Sequence, residues 1–488
     1  MTMSGKFIAT YYSLLMFAGI LGIFQVLQID RFGMSPLEFV YTTFWLYLPL
    51  HLFVAGRPFR VPLNVEYVAL ALYIASTIAS SMAAVINGDW TLHQQVMKTT
   101  LHFVFVVGIM YVHGHIRFSA STINNIVRFY LSMGVVLSVY AIYQVPARIL
   151  DWPLAWIQVT NVSFQEGVEF ATGISQLALR FENFYRATSI YSEPSALGYA
   201  SAIQIAVALV PIVRKSKHFL KTKWAITLSL STSIIALFLA FSMTGILVMG
   251  MCLLAIILRY PQRVLPRLMP VIAITAAGIV VVDTVVSMYV DISVLEMFGA
   301  RIESYITGSA FKEEVGSIVG ESATQRYDDA ALAVEVWKDS PIIGYGPGCF
   351  RHHPIGRFHN ANFPSNTFAT LLADNGLLGL TTFVLTLVAF LVSALLLERR
   401  WTRAGCSERY PNHDALVGTA PIVMVGYFVV NVSGNSTINP VYWLNFVFIV
   451  VALQFSRKAL GEYRELLIYG NRKAVVASQQ DESQQDLT

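Results

Sequence analysis

The chain has 488 residues, of which 55% are hydrophobic and only 13% charged, with a formal net charge of +4 and a mean hydropathy of +0.59. A soluble domain carries about 25% charged residues, so this composition excludes an ordinary soluble protein and places the chain in a bilayer. Cys252, Cys349 and Cys406 are too few and too scattered for a disulfide framework or a zinc site.

Twelve apolar runs approach the roughly 20 residues that a bilayer core requires. They are predicted at 7–28, 37–55, 64–86, 98–116, 123–146, 195–213, 224–241, 245–258, 268–289, 367–397, 415–433 and 440–456. The first follows a single lysine without a small-residue cleavage site, and reads as a span rather than a removed signal peptide. Ser242-Met243-Thr244-Gly245 separates the seventh and eighth into a hairpin. The tenth is longer than a bilayer needs, so its first two turns are expected outside the membrane or at its interface.

Charge fixes the expected orientation. With the N-terminus cytoplasmic, Arg57, Arg60, Arg117, Arg128, Arg214, Lys215, Lys217, Lys221, Lys223, Arg259, Arg263, Arg267, Arg399, Arg400, Arg403 and Arg409 fall on the inner side. That is the side where short loops rich in Lys and Arg belong. Both termini are then cytoplasmic. The organisation is five spans within 1–146, an outer loop at 147–194, four spans within 195–289, a large outer loop at 290–366, three spans within 367–456 and a tail at 457–488. The polar, Gln-rich end of that tail reads as disordered.

The outer loops contain aromatics that can pack, and are expected to form ordered caps of short helices. One amphipathic helix is predicted from Arg326 to Trp337, with Ala330, Leu332, Val334 and Val336 as its apolar positions and Pro341 stopping it.

The chemistry-bearing residues gather in these loops. Arg186-Ala-Thr-Ser-Ile-Tyr-Ser-Glu193-Pro194-Ser195 precedes the sixth span. Pro194 suits a first helical turn, and Glu193 would lie at the positive helix end. A planar guanidinium bonds phosphate oxygens bidentately, and a carboxylate accepts a proton. The plain alternative for this segment is a helix cap with an interfacial ion pair. Arg326 opens the amphipathic helix, where a solvated arginine is the plain reading. His352, His353 and His359 lack zinc-site spacing, and one of them is a candidate proton carrier. Gly344-Tyr345-Gly346-Pro347-Gly348 lacks the lysine and serine or threonine of a nucleotide loop and reads as a tight turn. Glu66, Asp283 and Asp374 lie near span ends. No charge crosses the bilayer centre, which disfavours a pump or channel.

In order, the Arg186…Ser192-Glu193-Pro194-Ser195 motif, the Phe241-Ser242 hairpin, Arg326, Asp339-Ser-Pro-Ile-Ile-Gly344-Tyr-Gly346-Pro-Gly348 and Ser365-Asn366…Leu371-Leu372-Ala-Asp374-Asn-Gly376-Leu-Leu-Gly379 resemble the bacterial O-antigen polymerase and ligase superfamily. The resemblance covers about 160 to 433. It implies an all-α polytopic membrane protein of about twelve transmembrane helices with two ordered periplasmic loops, a GT-C-like bundle in the bacterial inner membrane. It implies a glycosyltransferase that needs no metal or cofactor and takes an undecaprenyl-diphosphate-linked oligosaccharide as donor. Its expected partners are that donor, membrane lipids and a chain-length regulator, with no nucleic acid.

On this resemblance Arg186 and Arg326 bind the diphosphate. Glu193 or His359 is the base, with Glu193 favoured, and Ser195, Ser365, Asn366 and Asp374 shape the site. The ligase branch typically has His-Asn where this chain has Ser365-Asn366, and Ser-Arg where it has Ser242-Met243. These departures favour a polymerase of capsule, O-antigen or exopolysaccharide. A ligase acting on lipid A core is the rival within the enzyme class, and a lipid-linked oligosaccharide flippase is the rival outside it.

Overall fold

In hydrocarbon a backbone must satisfy its own polar groups, and long Leu/Val/Ile/Phe runs therefore fold as helices. A computed structural model shows that outcome. It describes residues 5–29, 32–54, 56, 63–88, 90–113, 120–160, 176, 180–181, 184–262, 323–359, 364, 366–434 and 456–463, with scattered positions between 273 and 299 and between 442 and 454.

The N-terminal helices are α1 (Gly5–Ile20), α2 (Pro36–Val54), α3 (Val65–Asn87), α4 (Trp90–His113) and α5 (Ala120–Ile149). Next come α6 (Pro194–Arg214), α7 (Lys223–Leu239) and α8 (Met243–Arg259). In the second half lie α9 (Ala323–Asp339), α10 (Pro354–Phe358), α11 (Thr367–Arg403), α12 (Cys406–Arg409) and α13 (Pro411–Ser433). The centre of the bundle is α6 and α13, whose residues are mostly buried. Around α6 pack α7, α8 and α13, and α11 lies between α3 and α13.

Five helices among the described residues are long and apolar enough to cross a membrane, and α7 and α8 are shorter apolar helices of 17 residues each. The chain is thus a helical membrane protein. Ten of the twelve expected runs hold helices, and the other two, 268–289 and 440–456, lie largely outside the described residues, so the count of twelve is neither reached nor excluded. The hairpin at Ser242 is present: α7 ends at Leu239 and α8 starts at Met243.

Three other expectations need correction. The expected first span at 7–28 stops being helix at Ile20. Two strands follow, β1 (Leu27–Ile29) and β2 (Phe32–Met34), and these pair antiparallel. The all-α class stands, with this small ribbon following α1. The first outer loop is likewise not a cap of short helices among its described residues. It holds turns and a second ribbon, β3 (Arg180–Phe181) with β4 (Phe184–Tyr185), whose aromatic residues suit strands better than helix.

The amphipathic helix α9 starts three residues earlier than predicted and buries a different face. Ala333 and Val336 are buried, Ala330 and Leu332 are half-buried, and Val334 is exposed. The predicted set 330, 332, 334 and 336 has a period of two, which a helix cannot place on one side.

At one end of the bundle α11 is broken by Gly376, whose φ is +65°. The segment 341–350 fills the break. Leu377 and Leu378 N–H donate to the carbonyls of Pro341 and Ile342 (2.9 and 3.0 Å), and Tyr345 and Gly346 N–H donate to those of Ala373 and Asp374 (2.9 and 2.8 Å). The backbones lie so close that a Cβ on Gly376 would stand 2.5 Å from the Ile342 backbone. The first turns of this expected span form a short helix that precedes the kink.

At the opposite end, side-chain charges join the helices. Arg214 on α6 donates to Asp414 on α13 at 2.8 and 2.7 Å and pairs with Glu398 on α11 at 2.5 Å. Arg259 on α8 also pairs with Glu398, and the Tyr260 hydroxyl donates to it at 2.9 Å.

Candidate active site

The Arg186 motif closes over the corner between α7 and α8. Ala187 N–H donates to the Leu239 carbonyl (3.0 Å), and the Arg186 guanidinium donates through Nη1 to the Phe241 carbonyl (3.5 Å). Ser242 caps α8, its Oγ accepting the Gly245 N–H at 3.1 Å. Phe241 has φ +45° and Ser189 φ +53°. A bulky side chain in this region is strained, and such strain persists only where the surroundings over-determine it.

The start of α6 runs alongside. A Cβ on Gly245 would stand 2.8 Å from the Gly198 Cα, and a Cβ on Gly198 would stand 2.5 Å from the Ser242 Cβ. Only glycines permit this approach. It brings the N-termini of α6 and α8 together beside buried Arg186. Helix N-termini carry partial positive charge and unpaired N–H groups, so two of them next to a guanidinium form a place for an anion.

Arg148, in the last turn of α5, holds the motif from behind. Its Nε donates to the Ala155 carbonyl (3.0 Å), and its Nη2 to Gln176 Oε1 (2.9 Å) and Thr188 Oγ1 (2.7 Å). Its Nη1 donates to the Arg186 carbonyl, and the guanidinium stacks 4.2 Å from the Trp156 ring centre. Gln144, one turn earlier on α5, donates to the Ser189 carbonyl (2.9 Å). All the oxygens that Arg148 meets are neutral, so its charge is not cancelled among the described residues. Arg148 is not among the residues that the sequence singles out. The signal available was its place in a helix's last turn with Gln144 four residues before it. Trp156 is occupied by this arginine and by Tyr185, whose ring is 5.0 Å away, edge to face.

An apolar seam leads away from this corner. Cavities of about 50 and 40 Å³ share Met16 and Tyr130. The first is lined by α1, α5 and α6 and reaches Tyr191 in the Arg186 motif. The second continues to Phe219 and Leu416 near the other end of the bundle.

The remaining predicted residues are distributed as follows. Glu193 is exposed at the N-cap of α6, and its side chain makes no capping bond. Ser195 follows as the half-buried second residue of α6. Arg326 lies in the first turn of α9, with its side chain outside what the structure describes, and Ser365 lies outside the described residues. Asn366 caps α11, its Oδ1 accepting the Ala369 N–H at 2.8 Å.

Asp374 is buried, and its carboxylate accepts the N–H groups of Gly348 (2.9 Å) and Phe350 (3.2 Å). It therefore anchors the Gly-rich turn. His359 is exposed at the end of α10. His353, by contrast, is buried and bonds Asp339 at 2.8 Å. Burial raises the Cys349 pKa, with Asp374 adding to the shift, so the thiol stays protonated and is no nucleophile. Among the described residues no three His, Cys, Asp or Glu side chains gather to hold a metal ion.

Residues 228–384 match the model of the family described as O-antigen ligase. The match runs from α7 through the kink of α11, taking in Ser242, Arg326, His359 and Asp374 but not the Arg186 motif. No curated protein matches the chain. The family match supports the O-antigen polymerase/ligase superfamily.

Proposed function

We propose that the chain is a polymerase joining undecaprenyl-diphosphate-linked oligosaccharide repeats at the periplasmic face of the bacterial inner membrane. The observation that carries this reading is the corner where buried Arg186 meets the N-termini of α6 and α8. The charge of Arg148 behind it, which meets no carboxylate among the described residues, and the apolar seam from Tyr191 suit a donor that joins a diphosphate to a long hydrocarbon.

In this reading the oxygen of an acceptor sugar hydroxyl attacks the anomeric carbon of the donor. The bond from that carbon to the phosphate oxygen breaks, and the lipid diphosphate leaves with the electron pair. Arg186 and Arg326 stabilise the charge that develops on it, which preorganised donors do without reorganisation in the transition state. The hydroxyl proton passes to Glu193, which is exposed at the mouth of the site, with His359 as the second candidate. Ser195 and Asn366 shape the site through the helix starts that they occupy, Ser365 lies beside Asn366 in the sequence, and Asp374 acts through the turn that it anchors. The cations and helix ends supply the stabilisation without a metal ion. A chain-length regulator would set product size.

The description of the matching family favours a second reading, a ligase that transfers the glycan to lipid A core. Ser365, where the ligase branch has histidine, favours the polymerase. Deletion of the gene and analysis of surface glycan separate them. The polymerase reading expects single repeats in place of polymer. Accumulated lipid-linked polymer would make the chain a ligase, and intermediates trapped on the cytoplasmic face would make it a flippase.

A further inference from the structure

The end of the bundle opposite Arg186 contains a cleft of about 520 Å³ that the reaction does not use. Its size falls in the roughly 300–1,000 Å³ range of ligand sites. It lies between the start of α3, the last turns of α11 and helical residues near 457–461.

The floor is polar. Glu66 is buried, pairs with Arg457 and accepts the Ser393 hydroxyl at 2.9 Å. Its charge is therefore spent within the protein. Arg400 at the rim is different: it is exposed, and its guanidinium meets no carboxylate among the described residues. Apolar Leu63, Val65 and Leu396 around it are exposed, at 86%, 71% and 44%. A site with one unspent cation, hydrogen-bonding groups below and lipid-facing hydrocarbon at its edge is amphipathic. Water alone leaves those apolar side chains uncovered, and a soluble anion leaves them equally bare.

We propose that this cleft binds one anionic phospholipid, its phosphate at Arg400 and its acyl chains along Leu396 and Leu63. Charge complementarity selects an acidic headgroup over a zwitterionic one. Basic pockets between membrane helices bind such headgroups on the side where basic residues concentrate. The inference requires only that the chain spans a membrane, and it is independent of the reaction proposed above.

The test is native mass spectrometry of the full chain released from nanodiscs that contain phosphatidylglycerol and phosphatidylcholine. The wild type is expected to retain one phosphatidylglycerol. Arg400→Gln, which breaks no described ion pair, should retain about fivefold less, the factor matching about 1 kcal/mol per basic residue near an anionic surface. Arg400→Lys should restore part of the binding, and Arg399→Gln, outside the cleft, should leave it unchanged. Equal retention by Arg400→Gln, equal retention of phosphatidylcholine, or equal loss with Arg399→Gln would overturn the proposal. Displacement of the lipid by inorganic phosphate would replace it with a soluble-anion site.

Discussion

At the Arg186 end, helices are joined through backbone groups: Ala187 to Leu239, Gly198 against Gly245, and residues 341–346 against the break at Gly376. At the other end they are joined through charged side chains, with Arg214 and Arg259 shared between Glu398 and Asp414. Arg214 and Arg259 have their charges met by carboxylates. Arg148 at the Arg186 end meets carbonyl, amide and hydroxyl oxygens and no carboxylate among the described residues. The same residue type thus serves cohesion at one end and a positive field at the other. What decides is the charge of its partners.

Substitutions at the two ends should separate catalysis from cohesion. The largest effect is expected at Arg186. Arg186→Ala should lower the rate of polymer formation by about 10²–10³-fold, as loss of one preorganised charge-stabilising donor does. Folding should be retained, as judged by size-exclusion profile. Arg186→Lys should recover only part of the activity, because an ammonium lacks the bidentate fork. Glu193→Gln should lower turnover by about 10²-fold or more if the carboxylate takes the proton. The check is the initial rate at saturating donor.

Glu398→Gln tests the other end. It leaves half-buried Arg259 without its carboxylate and Arg214 with Asp414 alone, so the loss should fall below the roughly 3–5 kcal/mol of a fully buried pair. Thermal unfolding in detergent should show that loss, while turnover per folded molecule is unchanged.

Gly245→Ala probes the Arg186 end through the backbone. The new Cβ would overlap Gly198, and overpacking costs about 1–3 kcal/mol. Here stability and turnover should fall together, because the α6 and α8 starts are pushed apart. His359→Ala should be the mildest. An exposed substitution shifts stability by no more than about 0.5 kcal/mol, and turnover should stay within about twofold if Glu193 is the base.

Much of this arrangement was legible beforehand. The apolar runs set most helices, Pro194 and Asn366 marked helix starts, and the Ser242 break separated α7 from α8. The Gly344–Gly348 run read as a turn and is one. What it turns around was not legible, because the kink at Gly376 is stabilised by carbonyls some 35 positions away in sequence, at Pro341 and Ile342. The anchoring role of Asp374 was not legible for the same reason: a carboxylate that holds backbone N–H groups has no local mark in the sequence. Arg148 was overlooked because its role depends on neutral oxygens from Ala155, Gln176 and Thr188, which only the fold assembles. The end of α1 at Ile20 was missed since hydrophobicity alone does not separate a span from a short ribbon beside it.

The most direct test of the account is a reconstituted reaction. Purified full-length wild type, Arg186→Ala and Glu398→Gln proteins would be incubated with undecaprenyl-diphosphate oligosaccharide and a chelator, and the products resolved on a gel. The account predicts a ladder from the wild type and, per folded molecule, from Glu398→Gln, with none from Arg186→Ala. A ladder of equal strength from Arg186→Ala would contradict it and remove the reaction from the corner between α6 and α8.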